Sequence, residues 1–231
     1  MILAAGRGER MRPLTDHTPK PLLQAGGKPL IVWHIERLVG AGITELVINH
    51  AHLGAQIERV LGDGRQFGAT IRYSDEGTAL ETAGGIAFAL PLLGDEPFAV
   101  VNGDIYCDFD FSHLPARAAA MATNANMAHL VLVDNPEHNL KGDFGLHDGR
   151  VSNSVLSPQH SALTFSGIGL YQPALFAHIP RGTKAPLAPL LREQIALGKV
   201  SGEHHDGMWV DVGTPQRLDE LDKRLSALQN V

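Results

Sequence analysis

The opening stretch of the sequence constrains the fold more than any other, because a short apolar run passes directly into glycines. Ile2, Leu3 and Ala4 predict a buried strand. The segment Gly6-Arg7-Gly8 then predicts a sharp turn, since glycine permits backbone conformations that other residues avoid and leaves N–H groups exposed. A strand that ends in such a turn indicates an α/β protein with an anion-binding loop.

Basic residues follow this turn closely. Arg7, Arg10, Arg12 and Lys20 lie near the start of a chain whose formal net charge is −6. Local cations in an acidic chain suit a polyanionic ligand such as a row of phosphates. The segment lacks both the Gly-Lys-Ser/Thr ending of a Walker A loop and the third glycine of a dinucleotide fingerprint. A nucleoside triphosphate held along the loop is therefore the ligand that we expect.

Length and charge restrict the class of protein further. With 231 residues, 44% of them hydrophobic, the chain predicts a single domain over 1–231. The negative charge disfavours nucleic acid as a partner, because non-specific binding needs an extended basic surface. No apolar stretch is long enough for a membrane span, and no signal peptide is evident, so we expect a cytoplasmic protein that works without a membrane partner.

The number and spacing of the cysteine and histidine residues give little indication of a metal site or a disulfide. Cys107 is the only cysteine, which excludes an intrachain disulfide and a multi-cysteine zinc site, and we expect it to be a small buried residue. Of the twelve histidines, His50 with His52 and His204 with His205 are spaced like metal-binding pairs. Neither pair has a third ligand at a suitable spacing, so a surface or loop position is the expectation for both.

Apolar runs and helical periodicity alternate along most of the chain. This alternation predicts a parallel sheet with helices on both faces. A hairpin is expected at 145–152, where Asp148-Gly149 provides turn chemistry. Strands are predicted over 2–4, 45–49, 69–74, 98–106, 129–133 and 164–171 and near Asp211, and helices over 30–39, 52–61, 113–122, 187–197 and 216–228, with another that Pro91 ends.

Two aspartates stand at the ends of predicted strands. Asp104 follows an apolar strand and a glycine, and Asp211 closes a strand near the C-terminus. If both belong to one sheet and converge, they could hold Mg²⁺ while phosphate oxygens and water complete the octahedron. Asn102-Gly103-Asp104 is also ordinary turn chemistry, so this pattern alone leaves a structural role open.

The whole pattern resembles a known enzyme family. The run LAAGRGERMRPLT from Leu3 to Thr15, followed by Pro19-Lys20-Pro21, is similar to the signature of the sugar-1-phosphate nucleotidyltransferases. The resemblance implies a Rossmann-like three-layer α/β/α fold around a mixed, mainly parallel sheet, with a small antiparallel lid on the sugar side. It also implies Mg²⁺ bound by Asp104 and Asp211, and Arg10 and Lys20 as catalytic cations.

The same resemblance implies contacts for both substrates. The nucleotide contacts are expected at Ala4, Ala5, Gly6, Gly8, Glu9, Arg10, Lys20, Glu76, Gly77 and Asn102. Contacts to the sugar phosphate are expected at Glu81, Asn135, Asp143 and Ser166. One departure stands out: the Glu-Lys-Pro that many relatives carry is absent, and residues 155–161 read Val-Leu-Ser-Pro-Gln-His-Ser.

Later segments, including 80–85 and 209–215, look like the short N-acetylmuramate α-1-phosphate uridylyltransferases of bacterial cell-wall recycling. That resemblance implies UTP and a sugar 1-phosphate as substrates and a monomer or small homo-oligomer. The residues alone do not choose the base, so a guanylyltransferase or other nucleotidyltransferase acting on mannose, heptose or glucose 1-phosphate is an alternative. A non-catalytic sugar-nucleotide-binding subunit is an alternative of another class, and a nicotinamide dehydrogenase is the weakest.

Overall fold

A computed structural model describes residues 1–153 and 162–229. The segment 155–161, where the sequence departs from the family pattern, lies outside the described residues. The strands are β1 (Ile2–Leu3), β2 (Gln24–Ala25), β3 (Lys28–Pro29), β4 (Glu45–His50), β5 (Thr70–Asp75), β6 (Phe98–Asn102), β7 (Ile105–Cys107), β8 (Ala128–Val133), β9 (Gly145–His147), β10 (Arg150–Ser152), β11 (Thr164–Tyr171), β12 (Val200–His205) and β13 (Trp209–Asp211).

A mixed sheet forms the centre of the molecule. Within the described ranges it has nine strands in the order β5-β4-β1-β6-β11-β8-β12-β10-β9. Strands β5, β4, β1 and β6 are parallel, as are β8 and β12, while β11 and β10 run opposite to the other seven. The carboxyl ends of β1, β4 and β6 therefore open on one edge, where open α/β sheets bind ligands.

Helices cover both faces of this sheet. They are α1 (Leu30–Gly40), α2 (Gly54–Leu61), α3 (Glu81–Leu93), α4 (Leu114–Thr123), α5 (Leu187–Ala196) and α6 (Pro215–Gln229). Apolar residues of α1, α2 and α4 pack on one face and those of α3 and α5 on the other, whereas α6 packs on β2 and β13. The three-layer prediction is confirmed. Among the described helices, none is both long and apolar enough to cross a bilayer.

In the part of the chain that the structure describes, two small antiparallel sheets stand beside the main one. β2 pairs with β3, and β7 pairs with β13, so that Asp211 lies opposite Ile105. The single strand expected over 98–106 is divided at Gly103-Asp104 into β6 and β7. The expectation that Asp104 and Asp211 end strands of one sheet is therefore wrong. They lie close all the same, because the Val212 N–H donates to the Asp104 carbonyl at 3.2 Å.

Other local predictions have mixed outcomes. The 145–152 hairpin is present, with Asp148 and Gly149 at φ of 47° and 72°, as a type I′ turn requires. It extends the main sheet, because β10 pairs with β12. Pro91 lies inside α3 and does not end it. Strand β12 has no counterpart among the predicted strands, since its polar residues break the apolar pattern.

Candidate active site

A cavity of about 500 Å³ opens at the carboxyl ends of β1, β4 and β6. Chain segments that are far apart in sequence meet there. The sequence-predicted residues that line it are Ala4, Ala5, Gly6, Gly8, Glu9, Arg10, Lys20, Glu76, Glu81, Asn102 and Asp104. Asn49, Thr82 and Gly213 also contribute to its wall.

The glycine loop forms one side of the cavity. Gly8 has a φ of 64°, and a Cβ at this position would lie 2.9 Å from the Thr15 methyl carbon and 3.2 Å from Lys20 Cβ. The Thr15 hydroxyl donates to the Gly8 carbonyl at 2.8 Å, which fixes the loop against the following segment. A Cβ at Gly6 would meet nothing within 4 Å, so this turn faces open space. The loop thus combines one tightly held glycine with one that a ligand can approach.

Lys20 places a positive charge in the cavity wall. The residue is only 6% exposed, and its Nζ donates to Asp104 Oδ2 at 2.7 Å. The Asp104 side chain is 41% exposed, so one partner of this ion pair is held by protein and the other faces solvent. Lys20 begins a short 3₁₀ turn over Lys20–Leu22 that follows Pro19. Burial and the bond to Asp104 already order the Lys20 side chain, so little further side-chain entropy is lost when a ligand binds.

Asn49 was not singled out from the sequence, and it connects the glycine loop to the predicted base-binding segment. Its Oδ1 accepts the Ala4 N–H at 2.8 Å, and its Nδ2 donates to Glu76 Oε1 at 2.6 Å. Glu76 Oε2 also accepts the Leu80 N–H at 2.8 Å. Burial raises the pKa of Glu76, while the hydrogen bond from Asn49 acts in the opposite direction. One signal could have found Asn49: like Asn102, it is a polar residue that directly follows an apolar run.

The backbone beside Glu76 is strained. Glu81, the first residue of α3, has a φ of 62°, which is unfavourable for a residue other than glycine. Gly77 has the same φ of 62° at no such cost, and its N–H donates to Asp75 at 2.9 Å. Gly77 belongs to the loop after β5 but is not among the residues that line the cavity.

Asp211 lies in a network of cations next to the cavity. Its Oδ2 accepts from Arg217 Nη1 at 2.8 Å and lies 3.2 Å from His138 Nε2. A Cβ at Gly213, in the cavity wall, would lie 3.1 Å from Asp211 Oδ2 and 3.2 Å from a guanidinium nitrogen of Arg10. The structure therefore gathers Arg10, Asp211 and Arg217 around Gly213. Neither His138 nor Arg217 was singled out from the sequence.

Three predicted sugar contacts lie outside the cavity wall and bond within the protein. Asn135 donates to the Ala162 carbonyl at 2.8 Å, and Asp143 accepts the Phe165 N–H at 2.8 Å. The Ser166 hydroxyl, in a residue 1% exposed, donates to the Val131 carbonyl at 2.7 Å. These bonds fix β11 and the loop before β9. A direct sugar contact at these positions stays a prediction, and of the four only Glu81 lines the cavity.

Comparison with known proteins identifies the family. The model of the family described as "Nucleotidyl transferase" matches residues 1–227. The chain belongs to this family. It is 55% identical over 224 residues, 95% of either chain, to the N-acetylmuramate alpha-1-phosphate uridylyltransferase of Neisseria meningitidis serogroup B. It is 35% identical over 234 residues to the protein of that name in Caulobacter vibrioides, covering 98% of this chain and 96% of that one.

More distant nucleotidyl transferases share the sequence pattern or the fold. The mannose-1-phosphate guanylyltransferase catalytic subunit beta of Drosophila pseudoobscura pseudoobscura is 31% identical over 94% of this chain and 59% of its own. The crystal structure of HddC from Yersinia pseudotuberculosis with GMP-PN superposes with a TM-score of 0.77 at 20% identity, covering 96% and 97% of the two chains. That likeness supports the fold alone. The sequence-based assignment of family, fold and enzyme class is confirmed.

Proposed function

We propose that this nucleotidyl transferase moves a uridylyl group from UTP to N-acetylmuramic acid α-1-phosphate, giving UDP-N-acetylmuramic acid and pyrophosphate. The 55% identity over 95% of both chains to a protein of that name carries the proposal. The reaction would belong to cytoplasmic peptidoglycan recycling, and a monomer or small homo-oligomer would suffice for it. The cavity supports the proposal by bringing together the glycine loop, Lys20, Glu76 and Asp104.

The triphosphate would lie along the glycine loop. Backbone N–H groups from Ala5 to Gly8 would face the phosphates, and Arg10 would contact the β- and γ-phosphates that leave. Glu76, fixed by Asn49 and Leu80, would accept hydrogen bonds from the base. Gly77 and Asn102 are the remaining nucleotide contacts that we propose. Loop and base segment are connected through Asn49, so base and phosphate recognition share one rigid support.

The reaction needs no general base. An ionised oxygen of the sugar phosphate attacks the α-phosphorus, a new P–O bond forms, and the bond to the bridging oxygen breaks as pyrophosphate leaves. We propose that Lys20 bridges the α-phosphate and the incoming phosphate and that Arg10 faces the leaving group. Fixed cations stabilise the charge that develops in this transition state, because they need no reorganisation during the reaction.

The donor set fits a hard divalent cation. Asp104 and Asp211 offer carboxylate oxygens, the ligand type that Mg²⁺ prefers, and each is held beside a basic side chain, Lys20 and Arg217 respectively. We propose that these two aspartates hold Mg²⁺. When bound, the ion would neutralise phosphate charge and polarise the P–O bonds. The protein contributes the orientation of both carboxylates.

A substrate panel tests the proposal. Purified protein is incubated with each of four NTPs and with the 1-phosphates of N-acetylmuramic acid, N-acetylglucosamine, glucose and mannose, and pyrophosphate release is followed. We expect UTP with N-acetylmuramic acid 1-phosphate to give the highest kcat/KM. The 31% identity to a mannose-1-phosphate guanylyltransferase favours GTP with mannose 1-phosphate as the second candidate. A preference for GTP with mannose 1-phosphate would refute the proposal. So would the absence of pyrophosphate release with every combination of NTP and sugar phosphate.

A further inference from the structure

Three side chains with metal-binding atoms converge outside the cavity. Within residues 1–153 and 162–229, Cys107, Asp108 and His205 form the one group of three in which a sulfur, a carboxylate oxygen and a ring nitrogen all lie within 4.8 Å of one another. His205 Nε2 is 2.8 Å from Asp108 Oδ1. None of the three lines the nucleotide cavity. The proposed function gives them no role.

The group is held by backbone on several sides. Cys107 ends β7, His205 ends β12, and the Asp108 N–H donates to the Met208 carbonyl at 3.0 Å. A Cβ at Gly207 would overlap both the Asp108 carboxylate and the His205 ring, so the chain crosses close over the two side chains. Phe109 packs edge-on against the His205 ring at a centroid distance of 5.5 Å. The backbone around the three side chains is therefore held in place before any ligand arrives.

The three side chains differ in exposure in a way that suits a small ligand from solvent. Cys107 is 1% exposed, whereas the side chains of Asp108 and His205 are 39% and 14% exposed. Burial raises the pKa of Cys107 to about 12, so the thiol is neutral and a poor nucleophile at neutral pH. A Cys/His catalytic pair is thus disfavoured. A metal ion, by contrast, deprotonates a coordinating thiol directly.

We propose that Cys107, Asp108 and His205 form a binding site for Zn²⁺ or a similar transition metal, with a fourth position open to solvent. Thiolate, imidazole and carboxylate together are typical zinc ligands, whereas Mg²⁺ avoids sulfur. On binding, the Cys107 proton passes to solvent, and the hydrogen bond between Asp108 and His205 gives way to two metal bonds. The metal would connect the end of β12 in the main sheet to the small β7–β13 sheet.

Cobalt spectroscopy tests the site on the full-length protein. Metal-free protein is titrated with Co²⁺ in excess Mg²⁺, which saturates the oxygen ligands at Asp104 and Asp211. We expect one equivalent to bind with thiolate-to-cobalt charge transfer in the near ultraviolet, and Zn²⁺ to displace it. Cys107→Ser and His205→Gln should each weaken binding by more than about 100-fold, the upper end of the loss seen when an outer-shell partner is removed.

The matched control is His204→Gln. His204 is adjacent on β12 and bonds Asp134 at 2.9 Å, so its loss should leave the cobalt spectrum unchanged. Because His205→Gln retains the buried thiol, it remains informative even if Cys107→Ser fails to fold. A wild-type spectrum without the sulfur transition, or an unchanged spectrum in His205→Gln, would overturn the proposal. Nucleotidyl transfer is not the readout, so the two proposals stand or fall separately.

Discussion

Individual charges in the cavity wall and next to it are arranged in opposed pairs. Lys20 faces Asp104, and Arg217 faces Asp211, so each proposed metal ligand has a cation within hydrogen-bonding distance. These ion pairs orient both carboxylates. A triphosphate entering this site meets both positive charge and metal ligands. Substituting Lys20 in one pair and Asp211 in the other separates the role of positive charge from that of metal binding.

Lys20→Ala should lower kcat by two to three powers of ten. The estimate follows from the loss of about 3–4 kcal/mol of transition-state stabilisation when a preorganised charge or donor is removed. The measurement is pyrophosphate release at saturating substrates, with circular dichroism to confirm folding. Lys28→Ala is the control, because Lys28 pairs with Glu36 and does not line the cavity. Near-native turnover of Lys20→Ala would exclude the proposed role.

Asp211→Asn should raise the Mg²⁺ concentration needed for half-maximal activity by at least about 10-fold, since changes to metal-site residues have effects of that size or more. The asparagine keeps the shape and an oxygen but removes the charge. Activity is titrated with Mg²⁺ at fixed UTP. Asp219→Asn on α6 serves as control, because Asp219 pairs with Lys223 at the surface. An unchanged Mg²⁺ requirement in Asp211→Asn would argue against it as a ligand.

At the scale of elements, apolar runs were sufficient to predict the buried strands. β4 and β8 are buried on both faces, and each contains a continuous apolar run, Leu46 to Ile48 in β4 and Leu130 to Val133 in β8. β12 escaped prediction because Gly202, Glu203 and two histidines interrupt any such run. Glu203 is accommodated through its hydrogen bond with His129 Nε2, at 2.8 Å on the neighbouring strand. Such a pairing between residues far apart in sequence leaves no local signal.

The site shows the same division. The clustering of Lys20 with Asp104 was expected from local motifs and family resemblance. The position of Arg217 beside Asp211 was not expected, because it depends on the direction in which α6 follows β13. The proposed zinc site leaves no sequence signal for a similar reason. Cys107 and Asp108 lie far from His205 in sequence, at the end of another strand.

Gly85→Ala should raise KM for UTP by roughly 5-fold to 10-fold, the equivalent of one lost hydrogen bond. A Cβ at this position in α3 would overlap Glu76 Oε1 and lie 2.9 Å from Asn49 Nδ2, which separates the two side chains. The helix itself should not suffer, because alanine is the better helix former. Gly40→Ala is the matched control, since a Cβ at the end of α1 meets nothing within 4 Å. Equal KM values in both variants would contradict the proposed role of Glu76.

At the scale of the whole molecule, the site depends on the entire chain being folded. Its wall takes residues from Leu3 to Gly213, which favours the single domain that we propose over 1–231. α1 supports the site from behind: the buried ring of His34 donates from Nε2 to the Ile105 carbonyl at 2.8 Å, one residue after Asp104. His34 Nδ1 is buried without a hydrogen-bond partner.

His34 makes global stability depend on pH. Burial, with a smaller effect of Arg37, lowers the pKa of His34 from 6.5 to about 4, against the opposing effects of the Ile105 carbonyl and Asp104. Between these values the unfolded chain binds a proton that the folded protein excludes, so stability falls as pH falls through this window. From pH 7 to pH 5 the loss from this group should be about 2 kcal/mol. His34→Gln retains a donor for the Ile105 carbonyl but cannot titrate. Urea unfolding at both pH values should therefore show a smaller loss in the free energy of unfolding for the variant than for the wild type. An equal loss would show that His34 does not cause the pH dependence.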